Sequence, residues 1–221
     1  MKIVFISDTH NKHKKIKELP NADVIVHSGD FTSMGYEYEI LNFFKWYSNL
    51  NQYKYKIFIA GNHDILFEKN SSLAKTLIPD NIIYLEDNGI VLDDIHFYGS
   101  PVSLPFYNWA FNRTEEILKK HWEAIPNNVD VLITHTPPYK IRDFAEFGTK
   151  NHCGSKSLYN EIIKRIKPKI SCFGHIHSEY GITDINNIKF INSSMLNDDY
   201  IYQNKPILVE IKNKIVNVIT E

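Results

Sequence analysis

Residues 169–177 read KISCFGHIH, a short apolar run that ends at a glycine and is followed by His175 and His177. Such a run, rich in β-branched and aromatic residues and bounded by polar ones, is typical of a strand buried on both faces. A single His-x-His pair is weak evidence for a metal site. Its meaning depends on which residues follow the other strands of the same chain.

Four further runs have the same character as this strand. They read KIVFIS (2–7), DVIVHS (23–28), YKIFIA (55–60) and VDVLIT (129–134). Apolar residues recur at helical spacing in the segments around them. These predicted helices are YEYEILNFFKWYSNL (36–50), RTEEILKKHWEAI (113–125), with Thr114 as its N-cap, and SKSLYNEIIKRIK (155–167), which ends before Pro168. The alternation predicts a parallel α/β core.

Three segments depart from this alternation and predict β-hairpins. They are IVLDDIHFYG (90–99), GITDINNIKFIN (181–192) and ILVEIKNKIVNVI (207–219), each with two β-prone runs joined by polar turn residues. Hairpins added to a parallel core indicate a sheet-rich α/β sandwich. No internal repeat or linker-like segment occurs, so we expect a single domain over residues 1–221.

Polar residues follow each of the five buried strands. In chain order they are Asp8 and His10, then Asp30, then Asn62, His63 and Asp64, then His135, and finally His175 and His177. The carboxyl ends of strands line the ligand crevice in open α/β sheets, so we expect these side chains to meet at one edge. Asp8 or Asn62 taken alone is better explained as the cap of a following helix.

The joint set predicts a cluster that binds divalent cations. Mixed carboxylate, amide and imidazole ligands suit Mn²⁺, Fe²⁺ and Zn²⁺. One carboxylate can bridge two ions, and such a pair of ions can clamp a phosphoryl group. A glycine precedes Asp30, Asn62 and His175, where we expect the backbone to turn sharply and approach the ligands closely.

Charge and composition exclude several other classes of function. The formal net charge is −1 over 221 residues, so no global electrostatic argument supports binding to duplex nucleic acid or to an anionic membrane. No stretch approaches the length of a membrane span. Two cysteines without C-x-x-C spacing indicate reduced thiols, although the sequence leaves one disulfide open. We therefore expect a cytoplasmic protein.

The ordered blocks D-x-H, G-D, G-N-H-D, a strand-terminal histidine and G-H-x-H resemble the calcineurin-like metallophosphoesterase superfamily. Within it, the stretches HSGDFT, GSPVSLPFYNWAFNR, THTPPYKIRD and INSSMLNDDYIYQNKPILVEI are similar to the metallophosphoesterase-domain-containing branch, which includes a vertebrate brain protein. The resemblance covers most of the chain. It implies a four-layer α/β/β/α sandwich of two mixed sheets flanked by helices, forming one metallophosphoesterase domain.

The same resemblance implies roles for the strand-end residues. One ion would be held by Asp8, His10, Asp30 and His177, and the second by Asp30, Asn62, His135 and His175. His63 would act at the phosphate as a transition-state stabiliser or proton donor, with Asp64 orienting and charging its imidazole. The two divalent ions would be Mn, Fe, Zn or Ni, with Mn²⁺ expected to support activity in vitro.

The function implied is a phosphodiesterase that hydrolyses small phosphodiesters, cyclic nucleotides first, by attack of metal-bound water or hydroxide. Two alternatives remain open: a phosphomonoesterase or protein phosphatase, and a non-catalytic scaffold with the same fold. A protein phosphatase is disfavoured because Phe31 and Thr32, rather than basic residues, follow Asp30. A nuclease acting on polynucleotides is disfavoured by the net charge.

Residues outside these blocks give predictions about the substrate. Tyr107 and Arg113, in the aromatic loop PFYNWAFNR (105–113), are candidates for substrate contact, as is His152, which we expect at a helix N-terminus. Within that loop we expect Trp109 and Phe111 to pack in the core. Among the remaining histidines, we expect His27 to lie in the core or behind the ligands, and three to be solvated: His13, His96 and His121.

Overall fold

The computed structural model describes residues 1–146, 151–213 and 215–220. Within these residues, two six-stranded mixed sheets lie between layers of helices. The four-layer α/β/β/α architecture predicted from the sequence is therefore confirmed.

The first sheet has the strand order β14-β13-β1-β2-β3-β4. Its strands β1 to β4 pair in parallel, whereas β13 pairs antiparallel with both β1 and β14. The strands are β1 (Lys2–Ile6), β2 (Val24–Ser28), β3 (Tyr55–Ile59), β4 (Ile83–Tyr84), β13 (Ile207–Lys212) and β14 (Ile215–Thr220).

The second sheet has the strand order β11-β12-β10-β7-β6-β5, with parallel pairing from β12 to β6 and an antiparallel strand at each edge. Its strands are β5 (Asn88–Leu92), β6 (Ile95–Ser100), β7 (Val131–Thr134), β10 (Ile170–Phe173), β11 (Gly181–Ile185) and β12 (Ile188–Asn192). All three predicted hairpins are present. A small hairpin pairs β8 (Phe144–Ala145) with β9 (Asn151–His152).

The described helices match the predicted segments and add two short ones. They are α1 (Glu37–Ser48), α2 (Ile65–Lys69), α3 (Ser71–Thr76), α4 (Glu115–Glu123) and α5 (Lys156–Glu161). Thr114 occupies the N-cap position of α4, but its side chain makes no capping hydrogen bond. A π-helical turn at Ile162–Ile166 extends α5 and ends at Lys167, before Pro168. None of these helices is long and apolar enough to cross a membrane.

Three apolar layers stabilise the sandwich. Successive side chains of a strand point to opposite faces of its sheet, so one strand contributes to two of these layers. In β1, Ile3 and Phe5 face the second sheet, whereas Val4 and Ile6 face the helices. An aromatic cluster fills the layer beneath α1, α2 and α3: Phe31, Phe43, Phe44, Phe58 and Phe67. Trp122 and Phe190 anchor the layer under α4 and α5. Strands buried on both faces explain why the sequence shows continuous apolar runs rather than alternation.

His13 corrects one prediction. Its side chain is fully buried rather than solvated, because the 3-10 turn at His13–Lys15 directs it against α1, where it contacts Phe43 and Trp46. His96 and His121 are half-buried and bond to Asn128 and to Asp87, respectively.

His27 is buried as expected. It lies at the centre of the first sheet, with a ring nitrogen 2.9 Å from the hydroxyl of Thr9.

The buried His13 generates a prediction about pH and stability. Burial, with a smaller contribution from Lys14, lowers the pKa of His13 to about 4. Near pH 5 the unfolded chain therefore binds a proton that the folded chain does not, and stability falls as the pH drops below about 6.5. The unfolding free energy of the wild type should therefore decrease when the pH falls from 7 to 5. We expect the decrease to be smaller in His13→Leu, by roughly 1–2 kcal/mol.

Denaturant unfolding at the two pH values measures this difference. Trp46→Phe is the matched control, because it alters the same packing but removes no titratable group. It should retain the pH dependence of the wild type. An equal pH dependence in His13→Leu and the wild type would contradict the assignment.

Candidate metal centre

The predicted ligands converge, but they come from two sheets rather than from one edge. Asp8, Asp30 and Asn62 follow β1, β2 and β3 of the first sheet, whereas His135 and His175 follow β7 and β10 of the second. The simple expectation of a single sheet edge is thus wrong. The carboxyl ends of the parallel strands of both sheets lie at the same end of the sandwich, so the predicted ligands still lie close together.

Three overlapping groups of side chains lie close enough to hold cations, with ligand atoms within 4.8 Å of one another. They are Asp8, His10 and His177; His10, Asp30 and His63; and Asp30, His135 and His175. Asp30 is common to two groups: its Oδ2 lies 3.7 Å from His10 Nε2 and 3.3 Å from His135 Nε2.

Asn62, the one predicted ligand outside these groups, joins the same cluster. Asn62 Oδ1 lies 2.9 Å from His135 Nε2, and His177 Nε2 lies 3.6 Å from Asp8 Oδ1. All seven predicted ligands therefore belong to one continuous set of oxygen and nitrogen donors.

Backbone carbonyls fix the orientation of two of these imidazoles. His135 Nδ1 donates to the carbonyl of Ser28 at 2.9 Å, and His177 Nδ1 donates to the carbonyl of Asn197 at 3.1 Å. A carbonyl accepts only from a protonated nitrogen, so Nδ1 of each ring carries a proton and Nε2 is the nitrogen that would face a cation in the cluster. This is the arrangement that histidine ligands of metals usually show.

His10 provides an independent test of whether the residues fit a cation. Both of its ring nitrogens are buried and have no hydrogen-bond partner. Buried polar atoms without a partner are costly and rare, and a bound cation would satisfy the nitrogen that faces Asp30. The donor set and this unpartnered imidazole fit a divalent metal ion.

Charge within the cluster is already separated in a way that suits cations. Although burial opposes it, His177 lowers the pKa of Asp8, and His135 keeps that of Asp30 well below its usual range. Burial lowers the pKa of both His10 and His175 to about 3, so these rings are neutral. Anionic carboxylates and neutral imidazoles are the forms that bind metals.

His135 and His177 differ from the other two histidines. Against the effect of burial, Asp30 raises the pKa of His135 to about 9, and Asp8 raises that of His177. Near neutral pH, a proton on His135 thus helps to balance the carboxylates. A cation that binds this ring must displace the proton, which makes the affinity for the cation dependent on pH.

Strained backbone carries several of these side chains. Asp8, His10, Asp30 and His175 all have positive φ angles, between 37° and 71°, which are uncommon outside glycine. Gly174 has no room for a side chain, because a Cβ there would lie 2.1 Å from Asp8 Oδ2. The close approach predicted for the glycine before His175 is present. Such strain is characteristic of functional sites.

Asp64 has a different contact from the one predicted. Its carboxylate accepts hydrogen bonds from the backbone N–H groups of Asp30, Gly61 and Thr32, at 2.8–2.9 Å, and does not bond to the His63 ring. Burial and the charge of Asp30 raise its pKa to about 7. Asp64 ties the second and third strand-end loops together, because it turns beneath them at the start of α2.

His63 is oriented by other groups. Its Nδ1 bonds to the carbonyl of Ser33 at 2.7 Å, and its ring stacks on Trp109 with centroids 4.0 Å apart and planes 29° apart. The expectation that Trp109 packs in the core is wrong. Phe111 is buried in the core as predicted. Ser33 could not be predicted from its residue type, because any residue at this position would offer the same backbone carbonyl.

A cavity of about 390 Å³ opens beside the cluster. Its floor includes Asp30, Asn62, His63, His175 and His177, and its apolar wall includes Leu104, Pro105, Phe106, Ile176 and Tyr200. Glu146, Ser178 and Asp198 add polar groups. No lysine or arginine occurs among the lining residues in the described part of the chain.

The three candidate substrate contacts lie outside this lining. Tyr107 is 83% exposed, and Arg113 Nη1 pairs with Glu68 Oε1 at 2.8 Å. His152 Nδ1 lies 2.6 Å from Asp143 Oδ1, and the helix expected at that histidine begins four residues later, at Lys156. Arg113 and His152 are thus engaged in contacts that hold loops together.

Phe106 and Tyr200 are the exposed rings that line the cavity instead. Phe106 is 50% exposed and lies beside His175, whereas Tyr200 is 40% exposed and packs against His10 and His177. The aromatic composition of the loop at 105–113 was the sequence signal that could have identified Phe106. Sequence reasoning missed Tyr200, which reaches the site from a distant loop.

Comparison with known proteins places this geometry among phosphoesterases. The chain is 34% identical over 235 residues to the human metallophosphoesterase domain-containing protein 1, covering 95% of this chain and 71% of the human protein. It is 37% identical over 241 residues to the UPF0046 protein T07D4.2 of Caenorhabditis elegans, covering 96% of this chain and 60% of the nematode protein. The chain thus spans 60% of the length of that relative.

Two more distant matches concern function and fold. A 3′,5′-cyclic-nucleotide phosphodiesterase of Nostoc, alr5338, is 27% identical over 180 residues, covering 76% of this chain and 60% of its own length. The crystal structure of phosphopantetheinyl hydrolase from Mycobacterium tuberculosis shares the fold, with a TM-score of 0.63, 15% identity and coverage of 90% of each chain.

Residues 1–179 match the family described as calcineurin-like phosphoesterase, which uses a dinuclear divalent metal centre. These residues contain every strand-end block of the cluster described above. The chain therefore belongs to the calcineurin-like metallophosphoesterase family.

Proposed function

We propose that this chain is a dinuclear-metal-dependent phosphodiesterase that hydrolyses small phosphodiesters, with cyclic nucleotides as the first candidates. The observation that carries the proposal is a buried cluster with a shared carboxylate at the floor of a cavity lined by no described lysine or arginine. A phosphodiester carries one negative charge, whereas a phosphomonoester carries nearly two at neutral pH. A cavity whose described lining includes acidic side chains but no lysine or arginine suits the less charged substrate.

Asp8, His10, Asp30 and His177 would hold one ion, and Asp30, Asn62, His135 and His175 the other. Two ions bound there would polarise the phosphoryl oxygens and lower the pKa of a bound water. Mn²⁺ is our choice for assays, because it accepts oxygen and imidazole ligands together. Asp30 connects the two sets of ligands.

His63 would act on the oxygen that leaves phosphorus. The carbonyl of Ser33 accepts from Nδ1, which leaves Nε2 as the nitrogen that can exchange a proton with a bound substrate. The ring lines the cavity, so Nε2 can either donate a proton to the leaving alkoxide or stabilise its charge.

Phe106 and Tyr200 would contact the organic part of the substrate. Their half-exposed rings suit stacking on a nucleobase, which contributes about 1–3 kcal/mol per base in other proteins. The cavity volume of about 390 Å³ suits a single small ligand. The match to a relative named as a cyclic-nucleotide phosphodiesterase supports the same class of substrate.

The alternatives receive less support from the structure. A phosphomonoesterase or protein phosphatase would need to neutralise a second charge, and the charged side chains among the described lining residues, apart from the candidate ligands and His63, are Glu146 and Asp198. A non-catalytic scaffold would have no reason to keep strained backbone and unpartnered imidazole nitrogens at the cluster. The free thiols of Cys153 and Cys172 support our proposal of a cytoplasmic location.

The first prediction from this proposal concerns the number of bound metals. We expect two ions per chain in the fully loaded wild type by elemental analysis. Asp30→Asn should weaken both sites, because Asp30 borders both sets of ligands. Asp8→Asn is the matched control: it removes the same charge but belongs to one group, so one ion should remain tightly bound. A single ion per chain in an active wild-type sample would refute the dinuclear centre.

The second prediction concerns substrate type. With Mn²⁺, we expect kcat/KM to be higher for diesters than for monoesters in a panel of cyclic nucleotides, nucleotide monoesters and aryl phosphodiesters. Phe106→Ala should raise KM for cyclic nucleotides several-fold, about 1 kcal/mol of lost stacking. It should change KM less for a dialkyl phosphate that carries no ring.

Tyr107→Ala compares the exposed ring with the cavity-lining ring in the same loop. A larger KM effect from Tyr107 than from Phe106 would place the substrate on the outer surface of the loop. Faster turnover of monoesters than of any diester would contradict the assignment as a phosphodiesterase.

The third prediction separates His63 from the ligands. We expect His63→Ala to retain its metal and to lose about 10²–10⁴-fold in kcat, most for substrates with poor leaving groups. His177→Ala should lose affinity for one ion and recover partly in excess Mn²⁺. Equal losses on good and poor leaving groups would indicate charge stabilisation rather than proton donation. Loss of metal from His63→Ala would show that His63 is a ligand.

A further inference from the structure

We infer that Trp109 is a positioning residue that sets the ring plane of His63 so that Nε2 points toward the oxygen that leaves phosphorus. The inference rests on the proposed function, in which His63 acts at the leaving oxygen. It gives the aromatic loop at 105–113 a second role, distinct from contact with the substrate.

One hydrogen bond does not fix the orientation of an imidazole. The bond from Nδ1 to the carbonyl of Ser33 anchors a single atom of the His63 ring. The torsion that rotates a histidine ring is broad and has two favoured states, so the ring plane remains free to turn about this anchor. A second constraint is needed before Nε2 points in one direction.

Trp109 supplies that constraint through face-to-face contact. Its ring centroid lies 4.0 Å from that of His63, with 29° between the planes, and His10 packs against His63 at a right angle with centroids 4.6 Å apart. Rotation of the imidazole would drive its edge into the indole. The stack and the hydrogen bond together leave one orientation.

Trp109 is itself held to the structural elements that carry His63. The N–H of Ala110, the next residue, donates to the carbonyl of Asn62, the residue before His63, at 3.0 Å. On the other side, Glu68 in α2 accepts from the N–H of Phe111 at 3.0 Å and from Arg113 Nη1 at 2.8 Å. The loop and the histidine therefore form one locally rigid unit.

Trp109 does not line the cavity, whereas its loop neighbour Phe106 does. Removing the indole should therefore leave substrate binding, and KM, nearly unchanged while kcat falls. An error of about 1 Å in the position of a reacting group can cost on the order of 100-fold in rate. We expect a kcat loss of about 10- to 100-fold in Trp109→Ala on poor leaving groups.

The experiment uses Mn²⁺-loaded protein and a series of aryl methyl phosphates whose phenol leaving groups differ in pKa. Wild type, Trp109→Ala, Trp109→Phe, His63→Ala and the double variant Trp109→Ala/His63→Ala are compared by kcat, KM and metal content. We expect a steeper dependence of kcat on leaving-group pKa in Trp109→Ala, with two ions retained. Trp109→Phe keeps a stacking ring and should restore most of the loss. The double variant should be no slower than His63→Ala alone.

Trp46→Ala is the matched control, because Trp46 also packs on a histidine, His13, away from the cluster. It should show the wild-type dependence on leaving-group pKa. If Trp109→Ala also keeps that dependence, or loses metal, or adds its loss to that of His63→Ala, the inference is overturned while the diesterase assignment stands. If the wild type hydrolyses neither this series nor cyclic nucleotides, the proposed function itself fails.

Discussion

The carboxylate of Asp30 is the constraint on which the rest of the site depends. Its Oδ2 faces the imidazoles of His10, which follows a strand of the first sheet, and His135, which follows a strand of the second. Its Oδ1 accepts a hydrogen bond from the backbone N–H of His63 at 2.8 Å. The backbone N–H of Asp30 donates a hydrogen bond to the carboxylate of Asp64. A buried carboxylate must be balanced by positive charge and hydrogen bonds, so the surrounding loops are organised around this group.

The histidines divide into two kinds according to the direction in which their pKa is shifted. Burial lowers the pKa of His10 and His175 to about 3, whereas, against burial, the neighbouring carboxylates raise the pKa of His135 to about 9 and raise that of His177. The neutral imidazole is the form that binds a metal, so a cation would compete with a proton at His135 but not at His10 or His175.

The aromatic loop at 105–113 shows how one segment can serve two purposes. Phe106 lines the cavity, where a ring can contact the substrate, whereas Trp109 is not among the lining residues and stacks on His63. Arg113, which the sequence predicted as a candidate substrate contact, bonds to Glu68 and holds the loop in place. In our proposal, one loop therefore contributes both a substrate contact and a residue that orients His63, and Glu68 attaches this loop to α2.

The sequence by itself determined the five buried strands, the three hairpins, the helices α1, α4 and α5, and the seven candidate ligands. Apolar runs and the polar residues that end them are local patterns, and glycines mark the places where the backbone approaches the ligands. Only the tertiary structure decided how these pieces meet. In the folded chain, the strands that carry the ligands belong to two sheets, and His13 is buried. The Asp64 carboxylate accepts backbone N–H groups of the strand-end loops rather than a bond from the His63 ring, and Trp109 stacks on that ring rather than packing in the core. The tertiary structure also brought Tyr200 to the cavity from a distant loop. The physical reason is that strand formation follows from residue pattern along the chain, whereas the direction and partners of a loop side chain depend on contacts between segments far apart in sequence.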